Sequence, residues 1–211
     1  MILLNKIIRN IRDYGVFIFL QKSLLNIFKP LFVRWTYLIY VVDLNAVKIR
    51  KPVQDSGITF RFLNVSESGL IAQIETMEEW LAGTVVQRLE RGEKCLIALQ
   101  EEAVVGFNLL GFDRIHIPLV KISKSLRPHE CFSVQITVHH KLRGKGLGTD
   151  LRHFVFASMK EAGYRRIYGG TQITNIANKA LTRKVGFREF AVATYARIVG
   201  IERLKISRVK K

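Results

Sequence analysis

A strand-like run ending at Val138 passes through His139-His140-Lys141-Leu142-Arg143-Gly144-Lys145-Gly146-Leu147-Gly148 and opens into an apolar helical pattern from Leu151 to Met159. A β-to-α junction made through three glycines commits this part of the chain to a mixed α and β fold. The turn leaves the first backbone N–H groups of the helix without intrahelical partners, at the end where the helix dipole favours negative charge. It can therefore cradle a phosphate or pyrophosphate. Glycine suits such a cradle because a Cβ would hold the anion away and because some of these positions need φ > 0. Arg143 and Lys145 either add charge to the cradle or stand as solvated charges on a turn. Spacing excludes two familiar phosphate loops. A dinucleotide fingerprint starting at Gly144 needs glycine or alanine where Thr149 stands, and a Walker loop needs serine or threonine where Gly146 follows Lys145.

The same residues resemble the acyl-CoA loop of the GNAT N-acetyltransferase superfamily, Arg/Gln-x-x-Gly-x-Gly/Ala after a strand ending in valine: Arg143, Gly146 and Gly148, with Val138 five residues upstream. Arg91-Gly92-Glu93, Leu96-Ile97-Ala98 and Val104-Val105-Gly106-Phe107 are similar to that family's helix end, strand, tight turn and second strand. Asn175 with Gly186-Phe187 resembles its N-x(10)-G-F element, and together the matches cover about residues 58 to 190. The resemblance implies an α/β (α+β) fold with a twisted, mixed, mostly antiparallel sheet and helices on both faces. It implies acetyl-CoA as co-substrate, no metal, and direct transfer of an acetyl group to an amine acceptor in a ternary complex. It places Ile136, Thr137 and Val138 beside the pantetheine, and Arg143, Gly144, Lys145, Gly146, Leu147, Gly148 and Thr149 around the phosphates. Asn175 contacts CoA or a water, or caps the helix that follows it.

The catalytic residues are less clearly marked. Many members of the family carry a tyrosine seven residues after the asparagine, and here that position is Thr182, whose hydroxyl is short and weakly acidic. Glu130, beside His129, begins the strand that carries the base in some members; the other reading is a solvated carboxylate at a strand end. Cys131 is read as core filler rather than as an acyl-carrying nucleophile, because no histidine is spaced to activate it. The competing function is a non-catalytic acyl-CoA-binding or membrane-associated scaffolding module.

Charge points to anionic partners. Lysine and arginine outnumber aspartate and glutamate 34 to 17 in 211 residues, and the excess is concentrated in residues 1–50 and 197–211. CoA phosphates and an acidic membrane surface fit that pattern. Nucleic acid does not, because the central region neither interleaves aromatics with basic groups nor carries a recognisable module. Cys95 and Cys131 are the two cysteines, both in apolar strand-like surroundings, which suits a reducing, cytoplasmic setting. The five histidines form no zinc spacing, and the adjacent pair His139-His140 would point to opposite sides of an extended chain.

Along the chain, residues 1 to 14 place Leu4, Ile7, Ile8 and Ile11 on one helical face, with Lys6, Arg9 and Arg12 largely on the other. Such a basic amphipathic helix reads as a peripheral anchor on the inner face of the membrane, bringing the enzyme to a membrane-linked acceptor. It reads equally as a face packed on its own domain or in a homodimer. Lys22, Lys29 and Pro30 interrupt any span long enough to cross a bilayer. Leu31 to Leu44 is apolar and β-branched, which leaves helix and strand undecided. The polar segment Lys48 to Gly57 marks a boundary between an N-terminal extension, residues 1–52, and a transferase domain, residues 53–211. Within that domain Ser66 is the expected cap of a first helix, and residues 113–129 are an irregular insert bordering the acceptor site.

Overall fold

Runs rich in β-branched and aromatic residues become the strands of one eight-stranded sheet. The computed structural model describes residues 32–50 and 57–209. In chain order the strands are β1 (Phe32–Asp43), β2 (Ile58–Phe62), β3 (Lys94–Gln100), β4 (Ala103–Gly111), β5 (Arg114–Ile117), β6 (Ile122–Ser125), β7 (Glu130–Val138), β8 (Arg166–Gln172), β9 (Arg188–Ile198) and β10 (Ile201–Arg208). The helices are α1 (Ser68–Met77), α2 (Val85–Glu90), α3 (Leu147–Glu161) and α4 (Ile176–Lys184). The sheet runs β10-β9-β1-β8-β7-β4-β3-β2, while β5 and β6 form a separate hairpin. Every pairing in it is antiparallel except β7 with β8.

Helices cover both faces, as expected. Alternation along β3 sends Leu96 and Ala98 into the cluster that holds Leu147, Leu151 and Val155 of α3. It sends Cys95, Ile97 and Leu99 into the cluster that holds Ile71 and Ile74 of α1. Residues 113–129, expected to be irregular, instead make the β5–β6 hairpin, whose Ile115, Ile117, Val120 and Ile122 pack on Ile39, Val41 and Ala193.

The boundary expected at residues 52/53 requires correction, because β1 lies inside the sheet. It pairs with β8 through Leu38↔Thr171 and with β9 through Leu38↔Val192. Leu38, Ile39, Tyr40, Val41 and Val42 are all buried. From Leu38 to Val42 the strand is covered on both faces and has no polar side to show, so the lack of alternation in that stretch is what a central strand requires. The basic amphipathic pattern of residues 1–14 lies outside the described residues. Among the described residues no helix is long and apolar enough to cross a membrane.

The parallel pairing of β7 with β8 is short. It runs from Glu130↔Arg166 to Ser133↔Gly169; beyond that β7 continues beside β4 to Val138 and β8 beside β1 to Gln172. The two strands thus diverge from an apex at Ser133. A β-bulge sits at that apex: Leu109 pairs with Gln135 and Leu110 with Ser133, leaving Val134 as the extra residue. A bulge bends its strand and re-aims the side chains that follow. Here Cys131 joins the cluster on the α3 side, whereas Gln135 and Thr137 reach Glu78 at the end of α1.

Two local expectations also change. Ser66 is not the cap of α1, since Glu67 occupies that position. The His139 and His140 rings lie 4.3 Å apart rather than on opposite sides, because His140 opens a 3-10 turn and ends the extended conformation.

Candidate functional site

A cleft of about 2000 Å³ follows the gap between the diverging strands and ends at the glycine turn before α3. Its walls owe their polarity to the backbone. His139 N–H donates to Val105 O on β4 at 2.8 Å, so strand alternation turns the N–H and C=O groups of Ile136 and Val138 toward the gap. The Val138 carbonyl accepts from Arg143 Nε at 3.1 Å, which holds that guanidinium across the mouth of the gap. At the turn, Gly146 is the N-cap of α3 with φ +93°, a left-handed conformation that disfavours any Cβ. Thr149 N–H and Asp150 N–H both donate to Gly146 O, while the N–H groups of Gly146, Leu147 and Gly148 have no acceptor among the described residues. Three free donors at a helix N-terminus beside an arginine are able to hold an anion. Gly148 is required for close packing instead: a Cβ there would come within 3.3 Å of Leu181 Cδ2 and 3.6 Å of Val138 Cγ2.

Of the residues singled out from sequence, Ile136, Thr137, Val138, Arg143, Gly144, Gly146, Gly148, Thr149 and Asn175 line this one cleft. Lys145 and Leu147 do not. The Lys145 side chain is in solvent and that of Leu147 is buried in the core, so Leu147 can offer only its N–H. Asn175 caps α4, accepting from Asn178 N–H at 3.0 Å.

Glu130 and Thr182 are not part of the cleft wall. The Glu130 carboxylate accepts from Arg127 N–H at 3.1 Å and from the Tyr168 hydroxyl at 3.2 Å, and it pairs with Arg166 at 3.4 Å. Those contacts tie the start of β7 to β8, away from the open part of the gap. Thr182 is buried and its hydroxyl donates to Asn178 Oδ1 at 3.3 Å inside α4. Cys131 is also unsuited to nucleophilic chemistry, since burial pushes its thiol up to about 12. No group of three or more potential metal-ligating side chains occurs among the described residues.

Sequence reasoning missed Glu78. It follows α1, and its Oε1 accepts from Thr137 Oγ1 at 2.6 Å and Gln135 Nε2 at 3.1 Å, while Oε2 has no partner among the described residues. The bulge brings both of those β7 side chains to it. Glu75, Glu78 and Glu79 are alike in sequence, so only the tertiary contact distinguishes the second. Among the described residues Tyr37 on β1 is the one tyrosine in the cleft wall. Burial pushes its phenol above the ordinary 10, despite a lowering contact with Gln172, so it keeps its proton at neutral pH. Trp80 and Arg88 lie at the Glu78 end, with the guanidinium 5.3 Å above the indole.

Residues 61–187 match the family model described as the acetyltransferase (GNAT) family. No curated protein sequence matches the chain. Among solved structures, a GCN5-related glucosamine N-acetyltransferase region of a fungal multi-domain GH3 β-N-acetylglucosaminidase shares 15% identity at a TM-score of 0.60, over 83% of this chain and 22% of that one. A GCN5-related N-acetyltransferase from Sphaerobacter thermophilus shares 16% at 0.56, over 90% and 58%. A tandem GNAT protein from the clavulanic acid biosynthesis pathway shares 14% at 0.56, over 79% and 54%. The chain thus spans little more than half, or less, of each of these three. At such identities the likeness is one of fold.

Proposed function

The chain belongs to the GNAT acetyltransferase family, and on that premise we propose that it transfers an acetyl group from acetyl-CoA, or a closely related short acyl-CoA, to an amine. The observation that carries this reading is the divergence of β7 from β8 in line with the glycine turn of α3. One extended thioester could meet strand amides along Ile136–Val138 and helix N–H groups at Gly146–Gly148. The pyrophosphate takes the free N–H groups at the turn with Arg143 beside it, and the pantetheine amides pair with the backbone groups of Ile136 and Val138 like an added strand.

Reaction is direct. The amine nitrogen attacks the thioester carbonyl carbon, the C–N bond forms, and the C–S bond breaks to release CoA thiolate. A backbone N–H of the bulged β7 segment stabilises the oxyanion. Glu78, with Oε2 open, orients the amine and accepts its proton, directly or through one water. Tyr37 stands in the wall where Thr182 does not, and its protonated phenol serves as donor to the leaving thiolate. Fixing both reactants in one cleft supplies the remaining advantage.

Titration calorimetry with acetyl-CoA tests this. Wild-type protein should bind, and the double variant Arg143→Glu, Gly146→Asp should not, because it puts carboxylates where the pyrophosphate belongs. No binding at millimolar ligand would refute both catalytic and merely acyl-CoA-binding roles. Release of CoA in the presence of an amine panel separates those two. The basic amphipathic pattern of residues 1–14 supports peripheral placement at an anionic membrane, where the acceptor would be membrane-linked. Failure of the full-length protein to float with anionic vesicles would rule that out.

A further inference from the structure

Where the cleft reaches the α3 side of the sheet, at Ser133, it meets a cation with no counter-charge among the described residues. Arg152, on the second turn of α3, is 4% exposed and lines the cleft. Its Nη1 donates to Ser133 Oγ at 2.7 Å and reaches Asn108 Oδ1 only at 3.5 Å, and its Nε has no partner among the described residues. Its Cζ lies 5.3 Å from the Phe187 ring centroid, and no ion pair among the described residues includes it. The local acceptors are already committed. Ser133 Oγ also accepts from Asn108 Nδ2 at 2.8 Å and donates to Asn108 Oδ1 at 3.1 Å, so it has nothing left for the other donors of a five-donor guanidinium. A buried arginine is normally paired, because an isolated buried charge is strongly unfavourable. Burial alone pushes this guanidinium down to about 10.

With no acid beside it among the described residues, the guanidinium is open to an anion that a ligand brings. We propose that Arg152 binds a carboxylate of the substrate at the apex of the β7–β8 gap, and that this carboxylate is carried by the acyl group of the donor, a short dicarboxylic acyl-CoA. This assignment rests on the CoA-dependent reading given above. The bulge at Val134 decides between donor and acceptor. It leaves Ser133 on the side of α3 and Arg152, and turns Gln135 and Thr137 to the other side with Glu78. An acyl chain following β7 to the apex arrives beside Arg152, whereas an amine held at Glu78 enters from the opposite face. A planar fork that can grip a carboxylate with two parallel N–H donors suits the first of these.

The experiment needs no variant in its first arm. Wild-type protein is titrated with acetyl-CoA, malonyl-CoA and succinyl-CoA, and CoA release is measured with amines that carry or lack a carboxylate. One dicarboxylic thioester should bind about tenfold or more tighter than acetyl-CoA, since a site built around a buried polar group rejects a ligand that leaves it unpaired. In Arg152→Met and Arg152→Leu that ratio should fall toward one. A preference that persists in both variants overturns the proposal. So does acetyl-CoA binding with no discrimination in either arm. Discrimination confined to the acceptor, and lost in the variants, upholds the carboxylate site but overturns its assignment to the donor. If no CoA thioester binds at all, the acyl-transfer reading fails first and this inference with it.

Discussion

Replacing Arg152 with methionine should make the fold more stable, by about 2 kcal/mol, although it removes a hydrogen bond. Burial lowers the guanidinium from an ordinary 12.5 to about 10. At 1.36 kcal/mol for each factor of ten, this is an unfavourable contribution of about 3 kcal/mol in the charged state. Methionine forfeits the bond to Ser133 Oγ, about 1 kcal/mol, but does not orphan that hydroxyl, which keeps Asn108. Its thioether can also replace the guanidinium against Phe187. The net gain of about 2 kcal/mol corresponds to a rise in Tm of about 4–8 °C for a domain of this size. The sign follows from linkage. A cation whose folded-state pKa is depressed destabilises the fold fully below that pKa, and the penalty lifts only as pH rises from about 10 toward 12.5. The difference between the two proteins should therefore be constant from pH 6 to 9. Urea and thermal unfolding at pH 7 measure it. A variant less stable than wild type by 2 kcal/mol or more would refute the claim that this charge is uncompensated, and would point to a paired arginine instead.

Glu78→Gln should lower kcat/KM by about 10²-fold or more with the far-ultraviolet circular dichroism unchanged, and a fall of less than threefold would remove Glu78 from proton transfer. Tyr37→Phe should reduce kcat more than KM, because the lost hydroxyl acts on the leaving thiolate; an unchanged kcat in single turnover excludes it as the donor. The Arg61 fork, with Asn64 N–H, holds the Glu67 carboxyl at about 2 instead of 4.5. That pair therefore contributes stability above about pH 4.5 and loses it as pH falls toward 2, so the difference between wild type and Glu67→Gln should shrink over that window in acid unfolding. A chain beginning at Lys51 lacks β1 and should not fold. Burial of Leu38, Ile39, Tyr40, Val41, Val42 and Leu44, at about 1.5 kcal/mol or more each, rivals the whole stability of a domain. A soluble, cooperatively melting product would show that β1 is dispensable.

Much of what lines the cleft was legible before the fold was known, because it is local. The turn Arg143 to Gly148 and the helix behind it are contiguous, so their spacing carries the geometry, and the residues from Ile136 to Val138 follow from strand register. The strands that hold Leu96-Ile97-Ala98 and Val104-Val105-Gly106-Phe107 were legible for the same reason: short contiguous patterns act over a few positions.

What the sequence determined by itself was therefore a strand, a glycine turn and a helix set in a mixed fold, with a family resemblance attached to it. The tertiary structure decided the rest. It placed β1 between β8 and β9, which no local signal distinguishes from a helix because a strand buried on both faces has no alternation. It moved the candidate base from Glu130, tied to Tyr168 and Arg166, to Glu78, more than fifty residues earlier and meeting β7 only through the bulge at Val134. It also left Arg152 buried without a carboxylate among the described residues, since whether a charge on a helix is paired depends on what the other elements bring beside it, and one-dimensional spacing does not encode that.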